Sequence, residues 1–256
     1  MSDFDIAGRV CLVTGASRGI GAAVARGLGA HHAAVAVHCR SGRAEAEQVV
    51  ADVKRSGGDA LLVQGDIAEP GTVDRLVAET VARFGRLDVL INNAGDQISR
   101  VDIADTSDEL FDRHVAVNIR PTFAACRAAV RQFRKQGTGG NIINVSSIAA
   151  RTGGGGGSYI YAGAKGFIST FSRALAKEVA TQGIRVNVVS PGVIATDLQD
   201  RVTSPEQLRN TATQIPMRRI GVPDECTGAF LYLCSDKLSG YVTGQVIEVN
   251  GGLLMP

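Results

Sequence analysis

Tyr161-Ala162-Gly163-Ala164-Lys165 sets a phenol and an amine four positions apart. On a helix those two side chains share one face. An ammonium group beside a phenol favours the phenolate. The pair therefore predicts a tyrosine that exchanges a proton nearer neutral pH than its ordinary pKa of about 10. Two further polar positions complete the candidate chemistry. Ser146-Ser147 ends an apolar run, where a hydroxyl can polarise a carbonyl or cap a turn. Asn118 stands among Val115, Val117 and Ile119, and a buried amide needs partners, because leaving it unpaired costs about 1–3 kcal/mol. None of these acts alone; they need elements that bring them to one place beside a reactant.

Those elements are legible in order. Val10–Val13 reads as a buried strand and runs into Thr14-Gly15-Ala16-Ser17-Arg18-Gly19-Ile20-Gly21, followed by a small-residue helix through Ala30. Strand, glycine turn and helix make a phosphate site: glycine lets the backbone approach the ligand, and the helix start offers free N–H groups and positive partial charge. The second strand, Ala33–His38, ends in Cys39-Arg40-Ser41, where a fold that binds NAD carries an acid for the adenosine ribose. With no acid there, Arg40 and Arg18 are expected to clamp a 2′-phosphate, which favours NADP(H) over NAD(H). The third strand, Ala60–Gln64, leads to Asp66 and Ile67. Asp66 suits either the adenine amino group or the cap of a helix beginning near Pro70. The fourth, Leu87–Ile91, leads to Asn92-Asn93-Ala94-Gly95 at the sheet edge where ligands bind.

A helical pattern from Ser107 to Gln136 is predicted to kink near Asn118-Ile119-Arg120-Pro121. The fifth strand, Asn141–Val145, carries the two serines, and five glycines, Gly153–Gly157, form a turn expected to move before the helix of Tyr161. The sixth strand, Ile184–Val189, ends in Ser190-Pro191-Gly192, and residues 197–222 read as a mobile lid over a substrate. A helix at Pro223–Cys234 and a strand at Gln245–Val249 close the chain. The expected fold is α/β: a three-layer, Rossmann-type, doubly wound parallel sheet of about seven strands, helices on both faces, as one domain over residues 1–256.

Composition narrows the partners. A net charge of +2 gives no case for nucleic acid or membrane surface, and no apolar run reaches the length of a membrane span. The acids at Asp3 and Asp5 argue against a secretory signal, and five cysteines without C-x-x-C pairs fit reduced thiols in a cytoplasmic protein. His and Cys spacing gives no metal site.

From Arg9 to Gly252 the chain resembles the short-chain dehydrogenase/reductase family, and within it 3-oxoacyl-thioester (acyl-carrier-protein) reductases and sugar dehydrogenases. The resemblance rests on Thr14-Gly15-x-x-x-Gly19-x-Gly21, Asp66, Asn92-Asn93-Ala94-Gly95, Asn118, Ser147, Tyr161-x-x-x-Lys165 and Pro191-Gly192. It implies an NADP(H)-dependent oxidoreductase that interconverts a carbonyl and a secondary alcohol. Tyr161 is then the general acid, Ser147 polarises the carbonyl, Lys165 tunes Tyr161 and holds the nicotinamide ribose, and Asn118 holds a water. The implied cofactor contacts are Gly15, Ser17, Arg18, Gly19, Ile20, Gly21, Arg40, Ser41, Asp66, Ile67, Asn92, Ala94, Gly95, Tyr161, Lys165, Pro191, Gly192, Ile194 and Thr196. Relatives are usually homotetramers or homodimers. Ser147 and Tyr161 are 14 positions apart, one more than is usual in the family. Ser146 therefore stays open beside Ser147, and Ser147 is preferred because the glycine run absorbs the extra residue. A competing reading is a catalytically silent NADP-binding sensor, against which the full Asn118/Ser147/Tyr161/Lys165 set argues.

Overall fold

The computed structural model describes residues 4–255. Seven strands, β1 (Val10–Val13), β2 (Ala34–Cys39), β3 (Asp59–Gln64), β4 (Val89–Asn92), β5 (Gly140–Val145), β6 (Ile184–Pro191) and β7 (Val246–Val249), pair in parallel in the order β3-β2-β1-β4-β5-β6-β7. The apolar runs read as strands are these strands, because a parallel sheet covered on both faces needs side chains that are apolar on both sides.

Alternation divides the runs between two cores. Cys11, Val13, Val35, Val37, Val89, Ile91 and Ile143 face one layer of helices, α1 (Gly19–Ala30), α2 (Arg43–Arg55) and α10 (Pro223–Cys234). Leu12, Ala36, Leu90 and Ile142 face the other, α3 (Thr72–Phe84), α5 (Arg120–Gln136) and α7 (Tyr159–Val179). Phe230 and Phe133 are fully buried anchors of the two layers, and burying such a side chain contributes about 1.5–3 kcal/mol. The result is the three-layer, doubly wound fold expected from the sequence. The strand order reverses between β1 and β4, which opens a crevice at their C-terminal ends.

The shorter helices are α4 (Asp108–His114), α6 (Ala149–Thr152), α8 (Asp197–Val202), α9 (Pro205–Gln214) and α11 (Asp236–Ser239). The kink expected near Asn118 takes a specific form: Val115–Ile119 is a π-helical turn between α4 and α5. Pro121 lacks the N–H that would bond to the carbonyl four residues earlier, and the wider turn accommodates that loss. Residues 197–214 fold into α8 and α9, tied down by Arg18–Asp197 at 2.7 Å and Arg201–Asp96 at 2.6 Å. The glycine run is seated at its end, where Gly157 has φ of +71° and a Cβ would stand 2.7 Å from the Val101 nitrogen, while Gly153 and Gly156 face open space. Among the described residues no helix is long and apolar enough to cross a membrane.

Candidate active site

A cleft of about 1080 Å³ runs along the C-terminal edge of the sheet, from the ends of β3 and β2 past the glycine turn to β5 and α7. Its nucleotide-like half is built by β1 and α1. Gly15 has φ of +64°, and Gly21 packs so closely that an added Cβ would lie 2.4 Å from the Gly15 carbonyl oxygen. No side chain caps the start of α1, so its first N–H groups face the cleft free for an anion. This cradle and helix terminus fit a dinucleotide pyrophosphate.

Residues outside the expected contact set hold the turn in shape. The Thr14 hydroxyl accepts from the Asn93 and Ala94 nitrogens, each at 3.0 Å. The Asn93 amide donates to the Thr14 and Gly15 carbonyls, each at 3.0 Å. His38 Nδ1 accepts from the Gly15 nitrogen at 3.0 Å, and its Nε2 donates to the Gly65 carbonyl at 2.9 Å. Burial pushes the His38 pKa down, the state needed for an imidazole that accepts at Nδ1. Asn93 and Thr14 lay inside quoted motifs. His38 carried no signal beyond its place at a strand end.

Most of the expected cofactor residues line this cleft: Gly15, Ser17, Arg18, Gly19, Ile20, Arg40, Ser41, Asp66, Ile67, Ala94, Gly95, Pro191, Gly192, Ile194 and Thr196. Four expectations change. Asn92 points away from the cleft into the sheet interior and donates to Asn144 Oδ1 at 2.8 Å, because alternation along β4 turns Asn93 toward the glycine turn instead. Gly21 serves close packing behind the turn and does not line the cleft. Asp66 does not cap α3, which begins at Thr72 after Gly71; its carboxylate accepts from the Ala68 nitrogen at 2.9 Å. Arg18 is already engaged by the Asp197 carboxylate.

At the other half, α7 carries Tyr161 and Lys165 on one face, with Lys165 Nζ 5.5 Å from the Tyr161 ring centre. The two serines differ in placement. Ser146 is buried and its hydroxyl donates to the Lys165 carbonyl at 2.8 Å, also meeting Ser169. Ser147 lines the cleft, and its hydroxyl lies against the Tyr161 phenol. Asn118 sits behind this group. It donates to the Asp96 and His114 carbonyls at 2.9 and 3.1 Å and accepts from the Asp96 nitrogen at 3.0 Å. All of these partners are backbone, so its amide clamps the loop after β4 to the π turn.

The proton chemistry differs from the simple pair. Tyr161 is half-buried by area, but its phenol lies deep among neighbouring atoms. Burial pushes its pKa up to about 12, the Ser147 hydroxyl acting the other way and the Asp96 charge adding to the rise. Burial likewise pulls Lys165 down to about 8. The lysine directs its ammonium to the Val145 carbonyl at 2.8 Å rather than to the phenol. In the protein alone, desolvation outweighs the expected lowering of Tyr161. At neutral pH the phenol keeps its proton, and Lys165 is the member of the pair whose pKa is drawn toward neutrality.

Comparison with known proteins agrees with this arrangement. A family model described as Enoyl-(Acyl carrier protein) reductase matches residues 15–254. The chain is 37% identical to the uncharacterized oxidoreductase YgfF of Escherichia coli K12, covering 95% of this chain and 99% of the relative. It is 37% identical to a 3-oxoacyl-[acyl-carrier-protein] reductase of Synechocystis sp. PCC 6803, covering 96% and 97%. The NADH-dependent reductase A1-R′, responsible for alginate metabolism, superposes with a TM-score of 0.90 at 33% identity over 98% of this chain and 99% of that one. Glycine turn, serine and Tyr-x-x-x-Lys on one cleft of a seven-stranded parallel sheet, with these likenesses over nearly the whole length, establish that the chain belongs to the short-chain dehydrogenase/reductase family.

Proposed function

We propose that the protein is an NADP(H)-dependent oxidoreductase that interconverts a carbonyl and a secondary alcohol. The observation that carries this reading is the shared cleft: Ser147, Tyr161 and Lys165 stand at one end and the glycine cradle at the other. When bound along the cleft, the nicotinamide nucleotide supplies or accepts the hydride. In reduction, Tyr161 Oη gives its proton to the carbonyl oxygen while the Ser147 hydroxyl donates a hydrogen bond to the same atom. Lys165, charged below about pH 8, stabilises the phenolate left behind and holds the nicotinamide ribose. Asn118 keeps Gly95 and Asp96 against this group, and α8 and α9 serve as the lid. A 3-oxoacyl thioester, named for the Synechocystis relative, belongs in the substrate panel.

Support for NADP(H) comes from the end of β2. Arg40 is exposed there beside Ser41, lines the cleft, and has no acidic partner among the described residues. With Arg18 held by Asp197, Arg40 is the guanidinium available to a 2′-phosphate. The NADH dependence of A1-R′ favours NAD(H) as the second reading. Exposed aromatics support a homodimer or homotetramer: on α5 and α7, Phe167 stacks on Phe171 at 5.4 Å and Phe123 meets Phe171 at 6.3 Å. Five buried cysteines without a disulfide fit the cytoplasm.

Two measurements test the reading. Tyr161→Phe abolishes NADPH oxidation with a reactive ketone and leaves NADPH binding intact; unchanged turnover refutes the mechanism. Arg40→Ala lowers kcat/KM for NADPH by about 10- to 100-fold, the worth of a charge-assisted hydrogen bond, and leaves NADH alone. A wild-type preference for NADH refutes the cofactor assignment.

A further inference from the structure

The charges that line the cleft divide into pairs and remainders. Arg18 pairs with Asp197, and Arg201 pairs with Asp96 through both of its terminal nitrogens. Arg40 and Asp66 remain at the ends of β2 and β3, the nucleotide-like half. Besides the buried Lys165, which bonds to the Val145 carbonyl, one cation without a carboxylate remains at the other half among the described residues. Arg100 follows β4, and its guanidinium lies over Gly155 of the run that leads into α7, where a Cβ would be 3.1 Å from Nη1. Its sole hydrogen-bond partner among the described residues is the Thr203 hydroxyl at 3.3 Å, between α8 and α9. Arg100 is exposed and shares the cleft with Ser147 and Tyr161.

The roof on this side is rich in uncharged amides. Gln199, Gln207, Asn210 and Gln214 line the cleft from α8 and α9 beside Leu198 and Leu208. Gln199 Oε1 accepts from the Thr203 hydroxyl and Gln207 Oε1 from the Ser204 nitrogen, which leaves their N–H groups and the amides of Asn210 and Gln214 to face a ligand. Amides donate and accept, as sugar hydroxyls do, whereas a fatty acyl chain satisfies none of them. A guanidinium without a carboxylate of its own presents a planar fork of donors that matches carboxylate or phosphate oxygens.

Resting on the oxidoreductase reading, we infer that the carbonyl substrate is polyhydroxylated and carries an anionic oxygen group, carboxylate or phosphate, which Arg100 binds. The pairing of Asp96 with Arg201 is part of this device, since a bare carboxylate in the same loop would repel that anion.

The test uses four carbonyl compounds with the full-length protein and saturating NADPH: a neutral keto sugar, its carboxylate, its phosphate monoester, and a neutral 3-oxoacyl thioester. The expected result is a kcat/KM at least about tenfold higher for a charged sugar than for either neutral compound. The charged sugar that is favoured identifies the group. Arg100→Gln then raises its KM by about 10- to 100-fold, with kcat and the neutral sugar unmoved, and Arg100→Lys recovers part of the loss. Raising the salt concentration raises KM for the charged sugar in wild type alone. A preference for the thioester or the neutral sugar overturns the inference while leaving the oxidoreductase reading in place. An Arg100→Gln defect equal for charged and neutral compounds overturns it too, as a structural effect. No turnover of any of the four, with NADPH or with NADH in its place, removes the oxidoreductase reading and this inference with it.

Discussion

Lys165→Met keeps an unbranched side chain of similar length in the buried slot under the Tyr161 ring and removes the group that titrates. Lys165 is 4% exposed, and burial brings its pKa from the ordinary 10.5 to about 8. At about 1.4 kcal/mol per pH unit, that difference is worth about 3 kcal/mol. The sign follows from which state binds the proton first. The folded pKa lies below the unfolded one, so as pH falls from 10.5 the unfolded chain is protonated while the native chain is not. Stability from this group is therefore fully present above 10.5, is lost as pH falls to about 8, and is flat below. Methionine has no such dependence. The loss of the 2.8 Å hydrogen bond to the Val145 carbonyl is an offset that pH scarcely changes. Urea unfolding of both proteins without nucleotide, at steps from about pH 7 to about pH 10, measures the difference. Wild type is expected to gain about 2–2.5 kcal/mol on the variant across that range, the rest lying above about pH 10. Turnover is expected to be lower in the variant at neutral pH, because methionine cannot stabilise the phenolate of the proposed mechanism. Parallel stability curves would show that Lys165 is not desolvated, and would refute the account of which pKa is drawn toward neutrality.

The serine assignment separates by two readouts. Ser147→Ala is expected to lower kcat by about 10²-fold with little change in urea midpoint, as for loss of one donor to a developing oxyanion. Ser146→Ala instead costs about 1 kcal/mol of stability, through its lost bond to the Lys165 carbonyl, and leaves kcat within severalfold; the opposite pattern assigns the role to Ser146. Gly21→Ala puts a Cβ 2.4 Å from the Gly15 oxygen and 2.5 Å from Asn93 Nδ2, so α1 must withdraw from the turn. A cost of about 1–3 kcal/mol in stability and a roughly tenfold or larger fall in NADPH affinity by fluorescence titration follow. Unchanged affinity means that the turn does not cradle the pyrophosphate.

Much of this protein was legible in its residues because the relevant physics is short in range. Apolar runs in a parallel sheet are continuous, so six of the seven strands stood out by composition and the last by its place at the end. Pro223–Cys234 was read with both of its observed ends. The Tyr161–Lys165 face needs nothing beyond helical periodicity. Where reading along the chain stopped short, the deciding neighbour was remote or the choice was one of register. Asn92 and Asn93 are equivalent as letters, and strand alternation sends one into the interior and the other to the glycine turn. Nothing local distinguishes His38 as the brace of Gly15. The pairings that hold residues 197–214 over the cleft, Arg18–Asp197 and Arg201–Asp96, join positions 179 and 105 apart.

The sequence by itself determined the parallel sheet, the glycine turn between β1 and α1 and the group of Ser147, Tyr161 and Lys165, since periodicity, strand ends and glycine stereochemistry are properties of adjacent residues. The tertiary structure alone decided how that group titrates and which cations remain free. Desolvation at Tyr161 and Lys165 sums over atoms from many elements, and the pairing that leaves Arg100 without a carboxylate exists only once distant segments meet.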